Sequence, residues 1–173
     1  DDLEDRLAKE PGVTDVGGNT SMPMSGSNSN GWFKIEGRPP WPDKGPIMER
    51  NHVTPGYFAA MGIPIRRGRG FTRDDRAGGR RVMVISQRAA EKFFPGEDPI
   101  GRRIDLMDHK GDEDRWLEIV GIAGDVRKNG LTAPAPSESY VPMAQQPARW
   151  MTIAVRTSTG DAMLGRMRAI MRD

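Results

Sequence analysis

The chain has 173 residues, of which 26 are lysine or arginine and 24 are aspartate or glutamate, for a formal net charge of +2. This near balance excludes no fold, but it gives no electrostatic case for nucleic-acid binding, which requires a clustered basic face. The length suits one domain, or two small lobes that share a core. The lack of cysteine excludes disulfides and thiolate metal sites, and no apolar run approaches the ~20 residues of a membrane-spanning helix.

The first fifty residues predict one helix and three strands. Residues 1–10 predict a helix because Leu3 and Leu7 share a face, and Pro11 ends it. A strand is predicted to start at Val13, and residues 17–31, which are rich in glycine, serine and asparagine, predict a mobile loop. The next predicted elements are a strand over 32–36, a rigid proline-rich loop over 37–46 and a strand over 47–53.

Residues 53–72 carry the densest run of local signals. Thr54 is a good N-cap residue and Pro55 suits the first helical position, so the pattern predicts a helix that begins there. Gly62 is predicted to end this helix in the left-handed conformation, and Pro64 prevents its continuation. Replacing Gly62 or Pro55 is expected to destabilise the fold by ~1 kcal/mol or more. A basic strand end follows, with arginines at 66, 67 and 69.

The middle of the chain predicts a buried strand, a helix and a hairpin. Residues 82–85 form an apolar strand that is predicted to be buried on both faces. Ser86 is predicted to cap the next helix, whose apolar side carries Ala89, Ala90, Phe93 and Phe94. Residues 100–122 predict a hairpin with a long charged tip over 108–115.

The last part of the chain predicts two strands and a helix. Residues 140–143 are predicted to form an edge strand, because Pro142 cannot donate to a ladder. Alternation over 151–155 predicts another strand, and residues 161–172 predict an amphipathic helix. The apolar face of that helix carries Met163, Leu164, Met167, Ile170 and Met171. Strands interleaved with helices indicate an α+β or mixed α/β fold.

The sequence offers no catalytic or metal-binding constellation. His52 and His109 are the only histidines, and they lack the spacing of metal ligands. Ser86 is explained as a helix cap, because no nucleophile elbow surrounds it. The acidic residues of the hairpin lack the spacing of a calcium loop and are read as a solvated tip; they are Asp105, Asp108, Asp112, Glu113 and Asp114.

The glycine-rich and basic segments do not predict a nucleotide site. Gly68-Arg69-Gly70 is not followed by the Gly-Lys-Ser/Thr of a phosphate loop, and no helix follows Gly121–Gly124. The arginines at 66, 67, 69, 80 and 81 are interpreted as a solvated face paired with Asp74 and Asp75; contact with acidic lipid headgroups or with a partner is the alternative. We therefore predict no catalytic residue, no cofactor and no metal.

Several segments, taken in order, resemble the extracytoplasmic core domain of MacB/FtsX-type ABC transporter permeases, most of all those whose transmembrane unit is duplicated. The likeness runs nearly from end to end, except over residues 25–30. Its first segments are Leu3, Leu7, Pro11-Gly12-Val13, Ile35-Glu36-Gly37-Arg38-Pro39, Val53-Thr54-Pro55-Gly56-Tyr57-Phe58, Met61-Gly62-Ile63-Pro64, Arg67-Gly68-Arg69 and Phe71-Thr72. Its later segments are Val84-Ile85-Ser86, Phe93-Phe94-Pro95-Gly96-Glu97-Asp98-Pro99-Ile100-Gly101, Val120-Gly121-Ile122, Gly124-Asp125-Val126-Arg127, Tyr140-Val141-Pro142 and Val155-Arg156-Thr157.

This resemblance implies a two-lobed, mixed α/β domain inserted between two transmembrane helices of a bacterial inner (plasma) membrane protein. Lobe A is expected to comprise about residues 1–70 and 140–173, and lobe B, inserted between them, about residues 71–139. Both termini are expected at one end of the domain, with their helices continuing into the membrane. Residues 53–72 are expected to form a structural hinge near the junction of the lobes.

Two functions follow as expectations. In the first, a cytoplasmic ATPase drives the flanking transmembrane helices, and the domain couples that motion to export or to mechanical signalling without chemistry of its own. The last helix, packed on Leu3 and Leu7, is the expected coupling element. The alternative is that its apolar stripe is only core, and the two readings are compatible. The other expected partners are an extracytoplasmic adaptor or a second permease half. The alternative is a ligand-binding or sensing module that is not coupled to ATP.

Overall fold

The computed structural model describes residues 2–26, 29–42, 45–107, 116–128, 130 and 132–171. The predicted hairpin tip, which includes His109 and most of the acidic residues, lies outside the described residues, as do both chain ends. The elements in chain order are α1 Asp2–Ala8, β1 Val13–Asn19, β2 Asn30–Trp32, β3 Lys34–Ile35, β4 Ile47–Val53, α2 Tyr57–Met61, β5 Ile65–Gly68, β6 Val82–Ser86, α3 Gln87–Phe93, β7 Arg103–Asp105, β8 Trp116–Ala123, β9 Glu138–Pro142, β10 Thr152–Thr157 and α4 Ala162–Ile170.

The strands of the described residues form one mixed sheet in the order β10-β1-β4-β9-β6-β8-β7-β3. β2 lies beside β4, and β5 lies beside β8. The β4–β9 and β6–β8 pairs are parallel, and the remaining pairs are antiparallel. The predicted mixed α/β class is therefore confirmed, and the expected β7–β8 hairpin is present. None of the helices among these residues combines the length and the apolar character needed to cross a membrane.

The sheet buries a separate apolar cluster on each face. β6 shows this alternation, because Met83 and Ile85 belong to one cluster and Val82 and Val84 to the other. The first cluster includes Ala89, Ala90, Phe93 and Phe94 of the helix that Ser86 caps, so we call that side the α3 face. The second cluster includes Tyr57 and Phe58, so we call that side the α2 face. As predicted, β6 is buried on both sides.

The prediction of a loop that begins at Gly17 is wrong, because β1 continues to Asn19 and these residues are buried. Gly17 is needed there because the start of α2 lies directly against β1. A Cβ atom on Gly17 would stand 2.4 Å from both the backbone nitrogen and the Cα of Tyr57. One on Gly56 would stand 1.9 Å from the Val16 carbonyl oxygen. Composition suggested flexibility, but these glycines permit a close packing of strand and helix.

The helix predicted to begin at Thr54 begins later, and the proposed cap is wrong. α2 has Gly56 at its N-cap position and no side-chain cap bond, and Pro55 lies in the turn before the helix. The Thr54 hydroxyl instead accepts the Gly18 N–H at 2.7 Å and donates to the Glu4 carboxylate at 2.5 Å. Thr54 therefore connects the turn before α2 to α1 and β1. The local sequence around Thr54 could not predict these contacts, because their partners are distant in the sequence.

Gly62 ends α2 as predicted, in the left-handed region with φ 67° and ψ 28°. The Ile63 N–H donates to the Phe58 carbonyl at 2.8 Å and so closes the helix end. We expect Gly62→Ala to lower the free energy of unfolding by about 1 kcal/mol, because a side chain with a Cβ atom is strained at positive φ. Urea unfolding measures this change. An unchanged urea midpoint would contradict the expectation.

The prediction that residues 140–143 form an edge strand is wrong, because β9 lies inside the sheet between β4 and β6. Pro142 is tolerated because it is the last residue of the strand. The next amide, of Met143, donates to β4, so the nitrogen of Pro142 points toward β6, where the ladder has already ended. The Gln145 side chain accepts the Val82 N–H of β6 at 3.1 Å instead. A terminal proline therefore does not require an edge position.

The strand predicted over residues 32–36 is divided into β2 and β3. Phe33 lies between them and is completely buried, and Ile35 is also buried, as the alternation predicted. β2 pairs with β4, whereas β3 pairs with β7, so the chain changes partner strand at Phe33. The strand over residues 47–53 agrees with the prediction.

Candidate functional site

An aromatic cluster joins α2 to the centre of the sheet. The rings of Phe58 and Tyr140 are 5.1 Å apart and meet edge to face, and those of Tyr57 and Tyr140 are 6.1 Å apart. Phe71, which follows β5, lies 5.9 Å from Phe58. Near the start of the predicted hinge, residues 53–72, Tyr57 and Phe58 therefore pack on Tyr140, and near its end Phe71 packs on Phe58.

A cleft of about 490 Å³ opens beside this anchored segment. It lies between residues assigned to both predicted lobes, because Pro55 and Met143 belong to predicted lobe A, and Thr72 and Arg76 to predicted lobe B. Its walls mix apolar and charged groups, and its volume falls in the range of ligand pockets. The lining residues are Thr54, Pro55, Thr72, Arg73, Asp75, Arg76, Pro142, Met143, Ala144 and Met151.

Ion pairs fix the loop that borders the cleft. The Arg69 guanidinium binds Asp75 in a bidentate pair, at 2.7 and 2.9 Å, and the Thr72 N–H donates to the same carboxylate at 2.8 Å. Burial raises the pKa of Asp75, but these donors outweigh it and hold the pKa below its usual value. Arg73 reaches across to Asp5 of α1, so the loop is joined to the first helix.

A group of buried polar side chains, which we call the polar cluster, lies on the α2 face beside the aromatic rings. Lys128 is almost fully buried, and its ammonium lies 3.4 Å from the Glu49 carboxylate and 3.3 Å from the Asn51 side-chain oxygen. Asn51 donates to Glu138 at 3.2 Å, and the Tyr140 hydroxyl donates to Glu138 at 2.9 Å. These five side chains link β4 and β9 to the segment 124–128, which we call the strap.

Burial favours the neutral forms of Glu138 and of the two tyrosines beside it, Tyr57 and Tyr140. Burial raises the pKa of Glu138, although the Tyr140 hydroxyl and the Lys128 charge oppose this effect. Burial also raises the pKa of Tyr140 well above its ordinary value, and that of Tyr57 to about 12. The two phenols are therefore neutral, and Tyr140 acts as a hydrogen-bond donor.

The first and last helices lie in contact beside paired strands. α1 contacts α4, and Arg166 of α4 pairs with Glu10 at 3.4 Å. Leu7 and Met163 are buried, whereas Leu164 and Met171 are 52% and 54% exposed. The apolar stripe predicted for the last helix is thus divided between the core and a free surface.

The other residues singled out in the sequence do not assemble into an active site. Ser86 caps α3, as predicted, by accepting the Ala89 N–H at 3.2 Å. His52 lies 3.2 Å from Gln146, and the Asp105 side chain accepts the Met107 N–H at 2.7 Å. No group of metal-ligating side chains occurs in the part of the chain that the structure describes.

The arginines pair only partly as predicted. Arg69 pairs with Asp75, in agreement with the prediction, but Arg67 pairs with Asp98 at 2.7 Å and Arg80 with Glu118 at 2.8 Å. Arg67 also lines another cleft, of about 450 Å³, between β5 and α3. The arginines therefore do not form one isolated basic patch.

Sequence reasoning missed the polar cluster. One usable signal was the spacing of Glu49 and Asn51, two residues apart in a strand, because this spacing places both polar side chains on the same face. The structure shows that this face is covered rather than solvated. No local signal marks Lys128, which lies in a segment without regular structure.

The comparisons with known proteins agree with one another. The sequence profile of the family described as MacB-like periplasmic core domain matches residues 1–170. An uncharacterized ABC transporter permease, YknZ of Bacillus subtilis (strain 168), is 33% identical over 92 residues, which are 53% of this chain and 21% of that protein. The chain thus aligns with about a fifth of the length of this curated relative.

Solved structures share the fold. The periplasmic region of MacB from Actinobacillus actinomycetemcomitans has a TM-score of 0.64 at 17% identity, covering 99% of this chain and 70% of that one. The extracellular domain of the noncanonic ABC-type transporter YknZ from Gram-positive bacteria has a TM-score of 0.62 at 19% identity, covering 95% and 76%. A domain of a putative permease protein from Porphyromonas gingivalis has a TM-score of 0.59 at 19% identity, covering 96% and 75%.

Proposed function

The chain belongs to the MacB-like periplasmic core domain family, and from this premise we propose that it is the extracytoplasmic domain of an ABC transporter permease. The protein would sit in a bacterial inner (plasma) membrane, with this domain on the outer side. The observation that carries the proposal is the family match across nearly the whole chain, which the related folds support. Because this family is a periplasmic domain of permeases, the domain is not an enzyme.

The proposed role is to couple ATP-driven motion of transmembrane helices to export or to mechanical signalling. The contact between α1 and α4 supports this role, since motion of one terminal helix would be transmitted directly to the other. The pairing of β1 with β10 supports it as well, because both helices adjoin the same strand pair. The proposal further expects the two termini at one end of the domain.

We also propose the two-lobed division, with lobe A over about residues 1–70 and 140–173 and lobe B over about residues 71–139. The cleft between Pro55 and Arg76 supports a boundary there, and the Arg73–Asp5 ion pair would cross it. Residues 53–72 would act as the hinge, because the aromatic contacts hold both ends of this segment.

The proposed partners are those that a permease of this kind needs. They are the flanking transmembrane helices of the same chain, a cytoplasmic ATPase subunit or domain, and an extracytoplasmic adaptor or second permease half. The family match supports the first two, since such a domain works on a membrane-embedded permease. Nucleic acid is not a proposed partner, in keeping with the balanced charge.

A second candidate function is a ligand-binding or sensing module that is not coupled to ATP. The cleft of about 490 Å³ favours it, because it offers a concave, partly apolar site. A tightly bound small molecule, together with a full-length chain lacking hydrophobic spans, would support this module. Flanking spans, or an ATPase encoded beside the chain, would support transport.

A reversible cross-link between the terminal helices tests the proposed coupling. Cysteines at Glu10 and Arg166, whose side chains now pair at 3.4 Å, would be joined in the full-length permease with a short methanethiosulfonate cross-linker. We expect the ATPase rate of the reconstituted complex to fall several-fold and to recover with dithiothreitol, because ATP-driven motion would be blocked at these helices.

The matched control joins Glu36 to Arg103, an ion pair between residues of neighbouring segments far from the terminal helices. This cross-link is expected to leave the ATPase rate unchanged. If the cross-linked Glu10–Arg166 variant kept the full rate, the terminal helices would not transmit the motion and the proposed role would fail.

A further inference from the structure

The larger of the two clefts described above, of about 490 Å³, has a wall that hydrogen bonds hold in place. Met143 belongs to this wall, and its N–H donates to the Val53 carbonyl of β4 at 2.9 Å. The Gln145 side chain holds the same loop, because it accepts the Val82 N–H at 3.1 Å and donates to the Arg80 carbonyl at 2.7 Å. A wall fixed in this way needs little ordering when a ligand binds.

The apolar part of the lining can adapt to the shape of a ligand. Pro55, Pro142 and Ala144 contribute to it, and Met143 and Met151 add unbranched thioether side chains. Methionine side chains adjust to irregular apolar shapes and are common at surfaces that bind several ligands. Met151 is 38% exposed, so a ligand here would cover apolar surface that water now contacts. This part of the cleft therefore suits the apolar body of a small molecule.

The acid of the lining is already paired. Asp75 is the only acid among the described lining residues. One of its oxygens accepts from Arg69 at 2.7 Å and from the Thr72 N–H at 2.8 Å, and the other accepts from Arg69 at 2.9 Å. The guanidinium of Arg69 neutralises the carboxylate, and the three donors occupy most of its acceptor positions. Asp75 therefore has little attraction left for a cationic ligand.

The two cations of the lining are less fully used. Arg73 pairs with Asp5 of α1, but a guanidinium has five N–H donors, and this pair leaves several of them available. Within the part of the chain that the structure describes, the Arg76 guanidinium has neither an ion-pair nor a hydrogen-bond partner. Asp74 is near in the loop, since its carbonyl accepts the Arg76 N–H at 2.9 Å, but it does not line the cleft. The lining thus carries one positive charge in excess.

The other cleft, of about 450 Å³ between β5 and α3, does not have this excess. Its described lining holds two cations, Arg66 and Arg67, and two acids, Glu91 and Glu97. Positive and negative groups therefore balance there, and that cleft has no comparable preference for one sign of charge.

We propose that the cleft of about 490 Å³ binds a small amphipathic carboxylate, whose anionic end contacts Arg76 and Arg73 and whose apolar body lies against the methionines. A planar carboxylate matches the fork of a guanidinium, and its single negative charge matches the single excess positive charge of the lining. A phosphate monoester, with a charge of about −1.5 to −2, would leave negative charge unbalanced. This inference deepens the second candidate function and rests on it, because it takes the cleft as a ligand site.

Titration calorimetry of the 173-residue chain at neutral pH, with decanoate below its micelle concentration, tests the proposal. We expect saturable one-site binding that is ~tenfold or more tighter than that of decyltrimethylammonium, which has the same apolar chain and the opposite charge. Acetate, which lacks the apolar body, and decyl phosphate should both bind more weakly than decanoate. The methyl NMR signals of Met143 and Met151 should shift with decanoate, whereas that of Met83, buried on the α3 face, should not.

Two substitutions test whether the ligand lies in this cleft. Arg76→Gln should weaken decanoate binding ~tenfold, because a charge-assisted hydrogen bond is lost, whereas Arg66→Gln in the other cleft should have no effect. Ala144→Phe should fill the cleft and abolish binding, whereas Ala162→Phe on α4 should not. Both alanines are exposed, so neither change disturbs the core.

The outcomes separate the class of ligand from the site. Equal affinity for decanoate and decyltrimethylammonium, or tighter binding of decyl phosphate, would overturn the carboxylate but retain the cleft as a binding site. Undiminished binding in both Arg76→Gln and Ala144→Phe would place the ligand elsewhere and overturn the proposal. No saturable binding of any of these amphiphiles would overturn the proposal together with the second candidate function. The proposed transport role depends on none of these results.

Discussion

Replacing Gly17 with alanine is expected to lower the free energy of unfolding by about 3 kcal/mol, among the largest effects of a single methyl group in this fold. The added Cβ atom would stand 2.4 Å from the backbone of Tyr57. Backbone atoms cannot rotate away as a side chain does, so either β1 or α2 must shift and disturb the aromatic contacts of Tyr57. Thermal unfolding should show a midpoint lower by roughly 6–12 °C for a domain of this size.

Gly165 provides the matched control because it carries the same substitution in a helix with free space. A Cβ atom there meets nothing within 4 Å, so Gly165→Ala should leave stability unchanged or raise it by up to about 1 kcal/mol. Gly56→Ala should behave like Gly17→Ala, since its Cβ atom would stand 1.9 Å from the Val16 carbonyl. Equal midpoints for the Gly17 and Gly165 variants would contradict the close packing of β1 and α2.

Replacing Lys128 with methionine is expected to cost about 3–5 kcal/mol, because it leaves the Glu49 carboxylate buried without a counter-ion. Methionine keeps most of the length and the apolar stem of lysine. The loss of stability therefore measures the removal of the charge more than a change in volume. Urea unfolding at neutral pH measures the change. A loss below ~1 kcal/mol would mean that Glu49 regains water when the ammonium is removed.

A second substitution separates the charge effect from a general defect of the strap. The double variant Lys128→Met with Glu49→Gln removes both charges and should be at least ~1 kcal/mol more stable than Lys128→Met alone. Arg127, the neighbouring and exposed strap residue, supplies the positional control. Arg127→Met should cost far less than Lys128→Met, because surface charges contribute little.

Regular elements with strong local patterns could be predicted from the sequence. β6 follows an apolar run of strand length, and Ser86 and Gly62 mark helix ends by their intrinsic conformational preferences. Each of these features is decided by residues that are close in sequence. The family resemblance could also be recognised from the sequence, because it depends on the order of short segments along the chain.

The sequence predictions that the structure corrects all depend on contacts between segments that are distant in the sequence. The glycine-, serine- and asparagine-rich composition after Gly17 predicts a flexible loop, yet the small size of Gly17 is required by α2, forty residues later. Pro142 predicts an edge strand, because the sequence does not show that the hydrogen-bond ladder with β6 ends before it. The polar cluster was missed for the same reason, since Lys128 acquires its partners only when the strap lies over β4. Local propensity says little about such tertiary arrangements.

The pairing of β1 with β10 has a consequence for how the domain is made. Val13 pairs with Thr157, so two strands from opposite ends of the chain must meet before the sheet is complete. Such long loop closure is entropically costly and slow, and it gives the fold a high contact order. During synthesis the edge of β1 that pairs with β10 therefore stays unpaired until nearly the whole segment has been translated. The first strand to be synthesised is thus among the last to complete its pairing.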